Sequence, residues 1–356
     1  MKQWVIIGIT LGAIFALAKP EVCLSRAKRH VVPISIANSK IPEYTLTPIL
    51  VIGEDDSTEA TKAALNQPGG VCVDWQGNIF VLDAGNKRVV KFDQDGNYLQ
   101  EFGKPGQGPG EFREPLGMAM NLNTGNLYIS DHASSKVEVF SVNGVNLKSY
   151  RMNFLSVFAP NLFMDNAGDI IIYQLSGEGF MTVLSPEYKD PLAIFGVLPE
   201  LERPMQKKSW DFFCYVAVTP QDEFFVFFRF HPILQKYDKY YQLLFTKNIR
   251  NMDIMRLFLK AQEAHFSRIL SASDEFTFFV FCHAIFADYL GGCYASIRNK
   301  IYYFNNEGKE EKILHLKKDD GSENIVASAL FIDESNYLYA VDSIDRKVYK
   351  FSLNKT

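Results

Sequence analysis

The 356-residue chain holds only five cysteines, and no two of them stand as CxxC. That excludes a zinc knuckle or a thiol–disulfide motif, and five are too few for a disulfide scaffold at this length. The six histidines (His30, His132, His231, His265, His283, His315) show no HxH, HxxxH or HExxH spacing. A metal site contained in one short stretch is therefore absent. There is no GxSxG and no GK[ST], which removes a nucleophile elbow and a phosphate loop. Positive charge is not in excess: 37 Lys and Arg face 41 Asp and Glu, for a net charge of −4. No nucleic-acid partner is expected from such a balance.

Long apolar runs are also missing, except at the start. Lys2 precedes an apolar stretch over 4–18 that ends in Ala16-Leu17-Ala18, followed by Lys19-Pro20. A short positive region, about 15 apolar residues and small residues at the end match a secretory signal peptide. A bilayer span needs about 20. Residues 1–18 are expected to be removed after Ala18, leaving no integral membrane segment and a secreted or periplasmic protein of the cell envelope. Residues 19–43, with Arg26, Lys28, Arg29 and His30 close together, read as a tether. An oxidising compartment would permit Cys282 and Cys293 to pair across a hairpin or to stay free. Cys72, between Val71 and Val73, reads as a buried free thiol.

What is present is a repeat. Residues 68–102 and 115–151 align through Pro68/Pro115, Gly70/Gly117, Gly77/Gly125, Asp83/Asp131, Val89/Val137, Phe92/Phe140 and Gly96/Gly144. Asp83 and Asp131 are 48 residues apart, a period at which repeats form propeller blades or solenoid turns. Within one unit, apolar alternation predicts four short strands over 70–74, 78–82, 88–92 and 98–102. The turns between them hold Gly77, Gly85-Asn86 and Asp95-Gly96-Asn97, residues that tolerate the positive φ of a tight hairpin. A four-stranded sheet of this kind buries both faces by stacking against copies of itself around an axis.

Further copies follow at 160–196, 214–249, 271–316 and 327–356, the fifth being the least regular. The sixth is clear, with Asp333, Tyr339, Asp342, Val348 and Phe351 where the first has Asp74, Phe80, Asp83, Val89 and Phe92. It stops after its third strand. The missing fourth is expected from 44–53, which resembles 98–103. An N-terminal strand zipped into the last sheet would close a ring and remove its exposed edges. The expected fold is all-β: a six-bladed β-propeller of four-stranded antiparallel blades over 44–356, and a monomer.

The connector Phe102-Gly103-Lys104-Pro105-Gly106-Gln107-Gly108-Pro109-Gly110-Glu111-Phe112, followed by Pro115 and Gly117, resembles the inter-blade segment of NHL-repeat propellers. Asp83-x-x-Asn86-x-Arg88-Val89 after Gly77-Asn78-Ile79-Phe80-Val81 is similar to the body of that repeat. The resemblance implies an exported bacterial six-bladed propeller.

Candidate functional residues fall at turns. Asp83, Asp131 and Asp342 recur after the second strand; the matching positions in the other copies read Gln174, Phe228 and Val280. A circle of carboxylates would hold calcium or a basic partner. The competing reading is that each aspartate serves its own turn, with Asn86 and Arg88 or with Arg346. His132 stands directly after Asp131 as a candidate exposed imidazole, and His231 beside Pro232 would share its face. The binding set expected at the channel-face turns is Asp83, Arg88, Asp131, His132, His231, Asp342 and Arg346. Aromatic runs at 224–230 and 276–281 read as inter-blade packing, and 252–266 has apolar residues at helical spacing. The leading functional reading is a scaffold binding a protein, peptide or glycan, without a cofactor. The alternative is a metal-dependent lyase or lactonase, with calcium or zinc at the channel mouth.

Overall fold

The computed structural model describes residues 41–53, 60–151, 162–173, 179–185, 191–199, 213–249, 280–322, 324–354 and 356. The expected signal at 1–18, most of the tether, the helical-spacing segment at 252–266 and Phe276, Phe278 and Phe279 lie outside the described residues. Six sheets, each with a four-stranded antiparallel body, follow one another along the chain, and one of them gains a fifth strand. Blade one consists of Pro68–Val73, Ile79–Asp83, Arg88–Phe92 and Tyr98–Phe102. Blade two consists of Pro115–Met120, Leu127–Asp131, Lys136–Phe140 and Asn146–Arg151. Blades three, four and five open with Phe163–Met164, Cys214–Val218 and Cys282–Ala287. Blade six opens with Ala329–Ile332. Each of these first strands lies against the first strand of the next blade, and that of blade six lies against that of blade one. Six first strands therefore form a closed inner ring.

Closure comes from the N-terminal segment, and in two pieces. Leu50–Ile52 pairs antiparallel with Val348–Lys350 as the fourth strand of blade six, and Ile49 N–H donates to Lys350 O at 2.8 Å. Glu43–Leu46 instead runs parallel to Ile313–Leu316 and adds a fifth strand to blade five. The single strand expected over 44–53 is thus divided between two blades. Pro48 sits at the break, where it has no N–H to offer a ladder and its φ is fixed.

Alternation along each strand sends successive side chains to opposite neighbours. Blade four shows this plainly. Phe224, Val226 and Phe228 join a cluster with Ile171, Phe180 and Phe195 of blade three. Phe225 and Phe227 join one with Phe281, Cys293 and Phe304 of blade five. Comparable clusters lie between blades two and three, between five and six, and across six, one and two. The aromatic run of blade four is inter-blade packing, as expected.

Blade five differs from its expected register. Its second strand is Cys293–Ile297, so Ile297, and not Val280, stands at the position of Asp83. Cys282 pairs with Ile297 and Cys293 with Ala287, at opposite ends of the hairpin. Neither can reach the other, and Cys72, Cys214, Cys282 and Cys293 are buried free thiols.

The Gly-rich connector between blades one and two is held by its neighbours. Lys104–Pro105 runs parallel to Glu111–Phe112. The Phe112 ring lies over Gly103 so closely that a Cβ there would clash with it, at φ +81°. Glu111 Oε2 accepts the N–H groups of Gln107 and Gly108, and Glu138 Oε2 accepts that of Gly110 at 2.9 Å. Lys136 Nζ donates to the carbonyls of Gly108 and Glu111, each at 2.8 Å, and pairs with Glu138 at 2.7 Å. Its amides are already taken, so this loop is a strap and not an anion cradle.

Two outcomes follow from this packing. Ile49→Pro removes the N–H that bonds Lys350 O in the closing strand and should lower the melting temperature by at least ~2 °C, read by calorimetry. An unchanged melt would contradict closure by this strand. Glu138→Gln leaves the buried Lys136 ammonium without its counter-charge and should cost about 3–5 kcal/mol in urea unfolding.

Candidate functional site

In a blade of four antiparallel strands the turns after strands one and three lie on one face. The turn after strand two and the connector to the next blade lie on the other. The first face is uniform. Asp74, Asn121, Asp165, Thr219, Asp288 and Asp333 each end a first strand and accept backbone N–H groups of their own turn. A positive-φ residue follows in each: Gly77, Gly125, Gly168, Asp222, Gly291 and Asn336. The side-chain oxygen takes the place of a backbone acceptor, which is why Asp, Asn and Thr recur there.

The other face carries all seven expected site residues, in the turns after the second strands of blades one, two, four and six. The three aspartates among them do not face solvent. Asp83, fully buried, accepts from Asn66 N–H at 2.7 Å, Asn86 Nδ2 at 2.8 Å and Arg88 Nε at 2.8 Å. Arg88 also donates to Ala64 O at 2.8 Å and pairs with Glu101. Gly85 is required beside it because a Cβ would lie 2.6 Å from Asn66 atoms. Asp131, fully buried too, accepts the N–H groups of Arg113 and Glu114 at 2.9 and 2.8 Å. Asp342 accepts those of Ile344 and Asp345. Asp83 and Asp342 anchor their own turns, and Asp83 and Asp131 hold the incoming connectors.

Arg346 is exposed at φ +61°, and among the described residues Asp342 is held by backbone N–H groups, not by the Arg346 guanidinium that the sequence suggested. His132 is not an exposed imidazole. Its side chain is 15% exposed, its N–H donates to Glu114 O at 2.9 Å and its Nδ1 lies 3.6 Å from Glu114 Oε2. The connector covers it. His231 is half-buried in the four-residue turn 229–232 of blade four, its carbonyl accepting Ile233 N–H at 2.8 Å.

Two residues outside the expected set stand out on this face. His283 is the extra residue of a bulge, since Cys282 pairs with Ile297 and Ala284 with Ser296. The same shift leaves Gly69 extra in blade one and Leu116 in blade two, so His283 occupies a position that recurs around the inner mouth. Bulges of this kind re-aim a side chain. Burial, then the charge of Arg229, pulls the His283 pKa down to about 4. The spacing Asp288-x-x-Gly291, matching Asp74-x-x-Gly77, is the signal that sets this register. Among the described residues, no group of three or more His, Cys, Asp or Glu side chains is placed to hold a metal ion. No helix among them is long and apolar enough to cross a membrane.

Comparison with known proteins agrees with the fold. A family model described as a 6-bladed beta-propeller matches residues 61–177. Protein brain tumor of Drosophila melanogaster is 25% identical over 109 residues, 30% of this chain and 10% of that protein. Peptidyl-glycine alpha-amidating monooxygenase A of Xenopus laevis is 27% identical over 150 residues, 38% of this chain and 16% of that protein. Protein lin-41 of Caenorhabditis elegans is 41% identical over 54 residues, 15% and 4%. The matches therefore span less than a fifth of each relative. Virginiamycin B lyase from Staphylococcus aureus covers 81% of this chain and 84% of its own at 13% identity, with a TM-score of 0.46. At that level the likeness carries no argument here. The chain is a six-bladed β-propeller whose repeats resemble those of NHL-repeat proteins.

If the aspartates are turn anchors, Asp83→Asn and Asp131→Asn should each lower stability by about 1–3 kcal/mol. Millimolar calcium should leave the melting temperature of the unaltered protein unmoved. A calcium-dependent rise that either substitution abolishes would contradict the anchor role.

Proposed function

We propose that the chain is an exported scaffold, secreted or held in the periplasm. It works as a monomer and takes a protein, peptide or glycan ligand on the face formed by the connectors and the second-to-third-strand turns. One observation carries this reading: the two faces are built differently. The turns after the first strands repeat one short, side-chain-anchored design in all six blades. From the last strand of one blade to the first of the next, the chain spacing varies from 11 residues (152–162) to 33 (249–281). A repeat keeps uniform what the ring needs and varies what a ligand reads, and binding residues gather on loops set by a rigid frame. The NHL-type relatives support a binding role but do not name a ligand.

Paired sets of substitutions test the assignment of the face. Arg113→Ala, Ile344→Asp and Arg346→Ala alter exposed residues on the connector face, and Trp75→Ala and Leu290→Asp alter exposed residues on the other. Retention of envelope components on the immobilised protein should fall at least tenfold for the first set and hold for the second. The reverse pattern would overturn the assignment. Export is tested by N-terminal sequencing of the mature protein, which should begin at Lys19.

A further inference from the structure

The seam between blades four and five holds a cation that the turn hydrogen bonds leave unused. Arg229 opens the turn after the second strand of blade four. Its N–H donates to Phe213 O at 2.7 Å, and its carbonyl accepts Phe281 N–H at 2.7 Å and Cys282 N–H at 3.2 Å. These bonds fix its backbone against the start of the first strands of both blades. Phe227 stacks on Phe281 beneath it, ring centroids 5.8 Å apart. The guanidinium carbon lies 5.5 Å from the Phe230 ring centroid. Its Nε is buried and has no hydrogen-bond acceptor among the described residues.

Blade one offers a contrast. Arg88, the first residue of its third strand, is held by Asp83 at the end of the second. Arg229 stands one residue past the matching strand end, Phe228, which is buried among aromatics of the inter-blade core and offers no carboxylate. A buried donor without an acceptor is destabilising, and more so when it is charged. An acceptor arriving with a bound partner would remove that cost.

His283 stands next to this cation. As the bulge residue of the first strand of blade five, it follows Phe281 and Cys282, the two residues bonded to the Arg229 carbonyl. Its low pKa keeps it neutral at pH 7, so it can donate one N–H without adding a second positive charge. Titratable groups on the elements packed here include His231 in the same turn, the thiols of Cys214, Cys282 and Cys293, and the Tyr294 hydroxyl. Burial pushes the thiols and the hydroxyl up and holds them protonated.

We propose that Arg229 and His283 form the seat for a carboxylate group of the ligand at the inner mouth of the connector face. The guanidinium fork matches the two oxygens of a carboxylate in one plane. One fixed positive charge beside a neutral imidazole balances one negative charge, whereas a phosphate dianion would bring a second charge with nothing to meet it. The proposal rests on the connector face being the binding face and names the chemistry that face reads.

The test follows the His283 ring by NMR on the full chain at pH 7 and constant ionic strength, with its signals assigned by their loss in His283→Gln. Sodium acetate should shift them saturably, with a Kd on the order of millimolar, and should raise the His283 pKa from its unliganded value. Inorganic phosphate should bind at least tenfold more weakly, and chloride should give no saturable shift. Arg229→Gln should abolish the acetate response with the rest of the spectrum unchanged. Should that variant not fold, Arg229→Lys decides, keeping the charge and losing the fork, with acetate binding at least tenfold weaker. A non-saturable acetate shift, an equal response in the Arg229 variant that folds, or tighter binding of phosphate would overturn the seat. Because this experiment reads a small ion at two residues, its failure leaves the face assignment standing. Loss of ligand retention from the other face would remove that assignment without touching the ion result.

Discussion

Every blade is a small sheet with two apolar faces, and it is stable only with a neighbour on each side. In a linear stack the two end blades would each leave one face and one strand edge in water. Three residue pairs prevent this here: Leu50 with Lys350, Val51 with Tyr349 and Ile52 with Val348. They complete the sixth sheet and tie the two ends of the chain into one body, so no blade is terminal. The parallel addition of Glu43–Leu46 to blade five extends the same fastening around the outside of the ring. The core clusters between successive blades depend on that closure.

Within the closed ring, polar chemistry divides by face. On one face, side-chain oxygens at six equivalent positions fold the turns and are consumed in doing so. On the other, Asp83 and Asp131 bind the incoming connectors to the turns beside them. The strap between blades one and two is fixed by the Lys136–Glu138 pair in the same way. At the blade four and five seam the same face carries Arg229, whose buried Nε has no acceptor among the described residues. A binding role for the connector face and a carboxylate seat at Arg229 and His283 both grow out of that division.

Much of the architecture was legible because the repeat makes the same physical demand six times. The aligned Pro, Gly, Asp and Phe positions of blades one, two and six gave strand positions to within a residue or two. The unfinished sixth copy pointed to the N-terminal strand that completes it. Legibility failed where the repeat decayed. In blade five the aromatic run at 276–281 imitates a second strand. The true marker, Asp288-x-x-Gly291, is a turn signal that apolar periodicity does not register. That slip put His283 in the wrong element and hid it. The division of 44–53 between two blades turns on Pro48, whose effect depends on which neighbours are in reach. For the aspartates, their burial could not be read from spacing: a residue at a turn reads as exposed, yet the connectors cover Asp83 and Asp131.

The closing strand is tested most directly by native-state hydrogen exchange. If Leu50–Ile52 is an integral strand of blade six, its ladder amides should exchange only with global unfolding, at the same free energy as those of Val348–Lys350. Exchange of the 50–52 amides by local fraying, several kcal/mol below that of blade six, would contradict the closed ring on which the account rests.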